Sequence, residues 1–181
     1  VGNNHIGILC ASCDSTSILN CVVNGNINAN TYVGGLSSTF SESYIENCFT
    51  TVNINTTSWA GGLASKISES YIRNCKYSGN IIAESWAGGL AGFANKSEIR
   101  ESWSEAQIDV GMITGGLIGM SDSTYVSDCY SNCLVSGIHI SGGLIGETVD
   151  SIIDNCYSCS EVTGNSETGG LIGRFYDGVN V

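Results

Sequence analysis

The sequence predicts an all-β fold, a parallel β-helix or three-sided β-solenoid of 27 residues per coil, and three observations predict it. Gly-Gly-Leu recurs with its first glycine at Gly34, Gly61, Gly88, Gly115, Gly142 and Gly169, each 27 residues after the last, with no insertion or deletion; a weaker copy starts at Gly7. A fixed period of this length marks a repeat architecture. The apolar positions are mostly β-branched and spread around the repeat, not set at the three- and four-residue spacing of a helix. The chain also has 24 Gly and no Pro, which fits strands turned by glycine.

With the first glycine of each unit as column zero, the elements follow in order. Column two is leucine in every unit: Leu9, Leu36, Leu63, Leu90, Leu117, Leu144 and Leu171. Column eleven is Ile18, Ile45, Ile72, Ile99, Val126 and Ile153, and column twenty is Ile27, Ile54, Ile81, Ile108, Val135 and Val162. Stacked, these columns fill a narrow interior, each buried aliphatic contributing about 1.5–3 kcal/mol. Three strand-like pieces stand in each unit. One surrounds Gly-Gly-Leu, one runs through residues 71–75 and one through residues 80–83. About nine residues per side, at ~3.3 Å each, make one turn of a three-sided coil, with turns ~4.8 Å apart. Right-handed coiling is the default for parallel crossovers. The alternative, a propeller of hairpins, needs a longer repeat of about 40 residues or more.

The glycine pair is expected at a corner, where glycine permits positive φ and close backbone approach. Column four is small (Ala11, Ser38, Ser65, Gly92, Gly119, Gly146, Gly173) and reads as a tight wall against the leucine layer. Column thirteen is mostly Asn: Asn20, Asn47, Asn74, Glu101, Asp128 and Asn155. It is either an asparagine ladder broken in the middle or a solvated corner. Seven coils make one repeat array over residues 1–181. The chain opens at Val1 and starts and stops within a repeat, so it is read as a piece of a longer or processed polypeptide.

Seventeen acidic residues against six basic ones give a net charge of −11. That argues against nucleic acid, whose recognition needs Lys and Arg clusters, and against an anionic membrane surface. No apolar run reaches the ~20 residues of a membrane span. The nine cysteines are mostly core candidates. Cys48, Cys75, Cys129 and Cys156, with Cys21, share column fourteen, where Ser102 takes the sixth place. Free Cys packs as a small apolar group. Cys10 and Cys13 form one CxxC and Cys156 and Cys159 another, but they lie five turns apart, too far for a shared zinc. Cys133 and Cys159, in nearly the same column of adjacent turns, are the candidate disulfide.

Charges and rings stack as well. Glu42, Glu69, Lys96, Asp150 and Asp177 share column eight, and Glu46, Arg73 and Arg100 share column twelve. The acidic pairs offer at most a weak calcium site, and no repeated Asp-Gly pattern supports one. Aromatics gather at column ten (Tyr44, Tyr71, Tyr125), column fifteen (Phe49, Trp103, Tyr130, Tyr157) and column twenty-five (Tyr32, Trp59, Trp86). Tyr32, Trp59 and Trp86 are the candidate platform for a sugar or protein partner, against a plainer role in packing over corners. Catalysis needs convergent groups, yet His5 and His139 fall in distant turns and no nucleophile elbow, phosphate loop or zinc motif occurs. No enzyme, metal or cofactor is expected. Asn55 and Asn95 begin glycosylation sequons.

The joint pattern Ile153-Asp154-Asn155-Cys156-Tyr157, Val162-Thr163-Gly164 and Gly169-Gly170-Leu171-Ile172-Gly173 resembles the GLUG-motif repeats. Residues 115–119 and 142–146 match equally well, whereas Ser38 and Ser65 replace the final glycine in their units. The resemblance covers nearly the whole chain. It implies an extracellular or cell-surface, non-enzymatic role, as in adhesin-like proteins and non-catalytic regions of certain immunoglobulin-cleaving peptidases, and it carries over no catalytic residue. The expected function is therefore a structural or adhesive stalk. The alternatives are a subunit stacking end to end with copies of itself into a filament, and a carbohydrate-binding module. The open ends would meet other copies or flanking repeats.

Overall fold

The computed structural model describes residues 5–176, 178, 180 and 181. It is an all-β parallel solenoid of about six coils, with no helix among the described residues. Facing residues lie 27 apart in every strand pairing among the described residues, an isolated bridge between Ile152 and Asn180 aside: Ile72 sits between Ile45 and Ile99, and Ile81 between Ile54 and Ile108.

Each full turn carries four strands rather than the three pieces expected, the fourth being split in two in the turns that begin near Gly115 and Gly142. In the turn that begins near Gly61 these are Ala60–Gly61, Ala64–Ser68, Tyr71–Arg73 and Lys76–Ala83. Equivalent strands stack into four parallel sheets of seven, seven, six and eight strands. The extra strand arises because Gly-Gly-Leu is a bend, not a strand centre: it splits the first expected piece in two.

That bend explains the glycines differently from the sequence reading. None of the repeated Gly-Gly pairs has positive φ; among the described glycines only Gly79 and Gly178 do. What the bend needs is space. A methyl added at Gly61 would collide with the carbonyl of Ala64, and one at Gly88 with the carbonyl of Ala91 and the amide of Gly119. The second glycine faces inward, where a methyl on Gly89 would strike the Ser104 side chain. Column four is small for a related reason, and not because of the leucines. A methyl on Gly92 would come within 2.9 Å of the Ala60 carbonyl oxygen, and one on Gly119 within 2.8 Å of that of Ala87. The two strands flanking the bend thus fold back on each other, backbone against backbone.

The left-handed conformation falls elsewhere. Column eight (Ser15, Glu42, Glu69, Lys96, Ser123, Asp150) and column thirteen (Asn20, Asn47, Asn74, Glu101, Asp128, Asn155) hold φ between 45° and 55° in every turn. Each is a one-residue corner. Asn and Asp tolerate this region best, which is why column thirteen is Asn-rich. Each corner is clasped by the residue after it. At column nine, Ser70 Oγ donates to the Ser68 carbonyl at 2.7 Å and accepts the Ser43 amide at 3.0 Å, and Ser43, Ser97, Thr124 and Ser151 donate in the same way. At column fourteen the clasp is sulfur: Cys75 Sγ donates to the Arg73 carbonyl at 3.2 Å, and Cys129 Sγ to the Ser127 carbonyl at 3.1 Å. Ser102 makes the same contact to Arg100 at 2.6 Å, so the one serine in the column performs the same task.

The interior is one continuous cluster. Leu36, Leu63, Leu90, Leu117 and Leu144 are fully buried, as are Ile45, Ile72, Ile99, Cys48, Cys75 and Cys129; Leu171 and Cys156, in the last turns, are partly buried. Tyr77 is the largest fully buried side chain. Its hydroxyl donates to the Val52 carbonyl at 2.8 Å, and its ring occupies the space that a methyl on Gly62 would need. Burial pushes the Tyr77 phenol well above its ordinary range.

Candidate functional site

The stacking of like residues produces three external aromatic ladders. At column ten, Tyr44 and Tyr71 stack at 5.2 Å and 3°, and Arg100 lies 4.8 Å over the Tyr125 ring. At column fifteen, Trp103, Tyr130 and Tyr157 stack at 5.8 and 5.1 Å, with Lys76 over Trp103 and paired to Glu105 at 2.6 Å. At column twenty-five, Trp59 and Trp86 lie face to face at 4.4 Å and 9°.

The third ladder differs because the fold-back at Gly-Gly-Leu brings a second ladder beside it. Column five, on the far arm of the bend, runs Ser12, Thr39, Lys66, Phe93, Met120, Glu147 and Arg174. Phe93 sets its ring against both indoles, at 6.1 Å from Trp59 and 5.9 Å from Trp86. On the other side Tyr32 meets Trp59 at 5.2 Å and 72°, and His5 stacks on Tyr32 at 5.5 Å. The His5 ring nitrogen Nδ1 lies 3.0 Å from Ser38 Oγ, which donates to the Tyr32 carbonyl. The stack is therefore broken once, between Tyr32 and Trp59. At that break lies a hollow of about 260 Å³ lined by His5, Tyr32, Thr39, Trp59, Ser65 and Lys66.

Charged side chains stand at the far end of this groove and, away from it, on columns ten, twelve and thirteen. Arg174 closes its far end by pairing with Glu147 and Glu167, one from each ladder. Arg73 holds Glu101 in a two-pronged pair at 3.0 and 3.1 Å, with Glu46 at 4.0 Å, and Arg100 pairs with Glu98. Glu101 leaves the asparagine ladder to do so. The ladder consequently has two parts, Asn74 to Asn47 to Asn20 and Asn155 to Asp128. Lys66 and Lys96 have no carboxylate partner among the described residues.

Tyr32, Trp59 and Trp86 are half-buried, not fully exposed, so their rings both pack over the bend and rim the groove. Sequence reading missed His5, Lys66 and Phe93: Lys66 follows Trp59 by seven residues and Phe93 follows Trp86 by seven, and that spacing was the usable signal, had the bend between them been recognised as a fold-back. The expected Cys133–Cys159 disulfide is corrected: both are free, Cys133 buried and Cys159 exposed. Cys133 faces Ser160, so Cys159 is one residue out of register, and one residue along a strand reverses the side-chain direction. Burial pushes the Cys133 thiol up. The disulfide present is Cys10–Cys13, within the strand Cys10–Asp14. Asp150 is an exposed corner residue, and Asp177 lies outside the described residues. No cluster of three or more metal-ligating side chains occurs among the described residues. Asn55 is exposed, while Asn95 is half-buried and donates to Asp122 at 3.0 Å.

Neither a family model nor a curated protein matches the sequence. Among solved structures, the chain is similar to an IgA1 protease, with a TM-score of 0.57 and 18% identity over 85% of this chain. The match spans 16% of that protein's length, and at this identity it shows the fold alone.

Proposed function

We propose that this chain is a rigid, non-enzymatic segment of an extracellular or cell-surface protein that holds an adhesive surface away from its attachment point. The observation that carries this reading is the groove along columns twenty-five and five. Its rings are half-exposed and held by a scaffold whose register never slips, which suits a preformed recognition surface. The fold likeness to part of a much larger IgA1 protease supports a role as one segment of a long polypeptide, and the match carries no catalytic residue to this chain. The test is adhesion of beads coated with the purified chain to a mucin-coated surface. Trp59→Ala/Trp86→Ala should lower retention at least about tenfold, as loss of aromatic anchors does in other interfaces, with circular dichroism confirming the fold. Retention of the parent no better than that of uncoated beads refutes the reading.

A second reading is favoured by the ends of the coil. One end exposes Ile8 (41%) and Leu9 (49%), and the other exposes Phe175 (67%), beside open strand edges that would pair with a further turn. That turn would come from the flanking chain or from another copy. Electron microscopy of the purified chain separates the two: fibres of uniform width indicate self-stacking, and short single rods indicate a segment continued by its own polypeptide.

A further inference from the structure

We infer that the hollow beside Lys66 is a binding site for a carboxylated sugar, a terminal sialic acid or a uronic acid, within an extracellular glycan. This rests on the adhesive reading and names its ligand class.

Charge is the first argument. In a chain of net charge −11, the two ladders bounding the hollow carry no carboxylate from His5 to Ile140 or from Ser12 to Met120. On the next outward ladder the three residues nearest Lys66, Ser41, Ser68 and Asn95, are neutral, and its carboxylates Asp14 and Asp122 stand at either end of that run. Lys66 is exposed and has no carboxylate partner among the described residues, whereas Arg73, Lys76, Arg100 and Arg174 each hold a glutamate. A lone ammonium at an aromatic-lined hollow is matched by an anion that also has an apolar face. A sugar acid has both: the carboxylate for Lys66, ring C–H groups for Tyr32 and Trp59.

Polar geometry is the second argument. The rim offers hydroxyls: Thr39 Oγ1, bonded to Ser12 Oγ at 2.7 Å, stands next to Lys66 on the same ladder. The volume of about 260 Å³ suits one ring, not an extended chain. Strand pairing rules out a peptide that binds by adding a strand at a free edge, and polyglutamate tests the side-chain mode. Strand Ala64–Ser68 is paired on both sides, with Ser37–Ser41 and Ala91–Asn95, so no main-chain group is free there for a peptide backbone. Recognition must come from side chains, as it does for sugars.

The experiment is calorimetric titration of the whole chain with a sialylated oligosaccharide, a uronate oligosaccharide, the carboxyl-reduced form of each, and polyglutamate. Binding of at least one carboxylated sugar, at least about tenfold tighter than its reduced form and weakened by salt, is expected. Lys66→Gln should remove that preference, Lys66→Arg should keep most of it, and Lys96→Gln should leave it intact; Lys66 is exposed, so equal melting temperatures are expected. Equal binding of reduced sugars, indifference to Lys66→Gln, or equal binding of polyglutamate overturns the inference. If no sugar binds while coated beads still adhere, the sugar site is refuted and the adhesive reading stands; if adhesion is also absent, both fall.

Discussion

Two kinds of corner close each turn, and they use glycine in opposite ways. At the Gly-Gly-Leu bend the backbone has no positive φ, yet glycine recurs in every coil. At columns eight and thirteen φ is 45–55° in every turn, yet no glycine occurs there. The difference teaches that proximity, not dihedral angle, selects glycine in this fold. At the bend, another strand occupies the place of a side chain. At the left-handed corners the side chain points to solvent and the strain, about 1–2 kcal/mol per residue, is tolerated because the next residue clasps the corner.

The strongest way to break this comparison is Gly88→Ala. The methyl meets backbone atoms on two sides, which cannot swing away. A loss of about 3 kcal/mol or more is expected by chemical denaturation; a loss under about 1 kcal/mol would show that the bend has room. Next is the clasp. Ser70→Ala leaves the buried Ser43 amide without its acceptor and should cost about 1–3 kcal/mol.

A pH series probes the sulfur clasp. Burial first, then its neighbour Cys156, raises the Cys129 thiol well above its ordinary value of 9.0, and burial raises Cys133 also. In the unfolded chain these thiols ionise near their ordinary value, so above it the unfolded state holds fewer protons than the folded one. The stability these two thiols contribute is therefore complete below about pH 9 and falls as pH rises beyond it, opposed in part by Cys156, whose thiol the hydrogen bond with Cys129 lowers. Thermal melts between pH 8 and 10 should show that fall, reduced in Cys129→Ser; a flat profile would count against it.

The smallest effect has the opposite sign. Glu69→Gly relieves the left-handed strain and, after the ~0.5–1 kcal/mol entropic cost of glycine, should stabilise by about 0.5–1 kcal/mol. Asn74→Gly has less strain to relieve and loses the 2.6 Å bond to Asn47, so it should destabilise slightly. If the two variants shift melting in the same direction, the two left-handed corners are not distinguished by their side chains.

Much of the scaffold was legible because stacking converts a period into a contact map. Once 27 residues make one coil, Leu63 must lie between Leu36 and Leu90, and the arginine and glutamate columns must face across turns. The groove was legible only in part. Tyr32, Trp59 and Trp86 share a column and were visible together; Lys66 and Phe93 belong to another column, and nothing in the period says which columns meet across a turn. Of the corner cysteines, Cys48, Cys75 and Cys129 are buried and Cys21 and Cys156 partly so, and their bonds to carbonyls two residues back depend on a left-handed residue that no glycine advertised. The Cys133–Cys159 expectation failed because sequence proximity to a column is not membership of it.

By itself, then, the order of residues determined the coil length, the parallel register and the buried ladders, since each follows from one-dimensional periodicity and the fixed spacing of strands. The tertiary structure alone decided the path within each coil: where it bends, where it folds back, and hence that an aromatic ladder and a lone lysine share one hollow. The reason is physical. Contacts between turns repeat the sequence period, whereas contacts across a turn depend on backbone angles at a few corner residues, and several side chains can occupy the same angle.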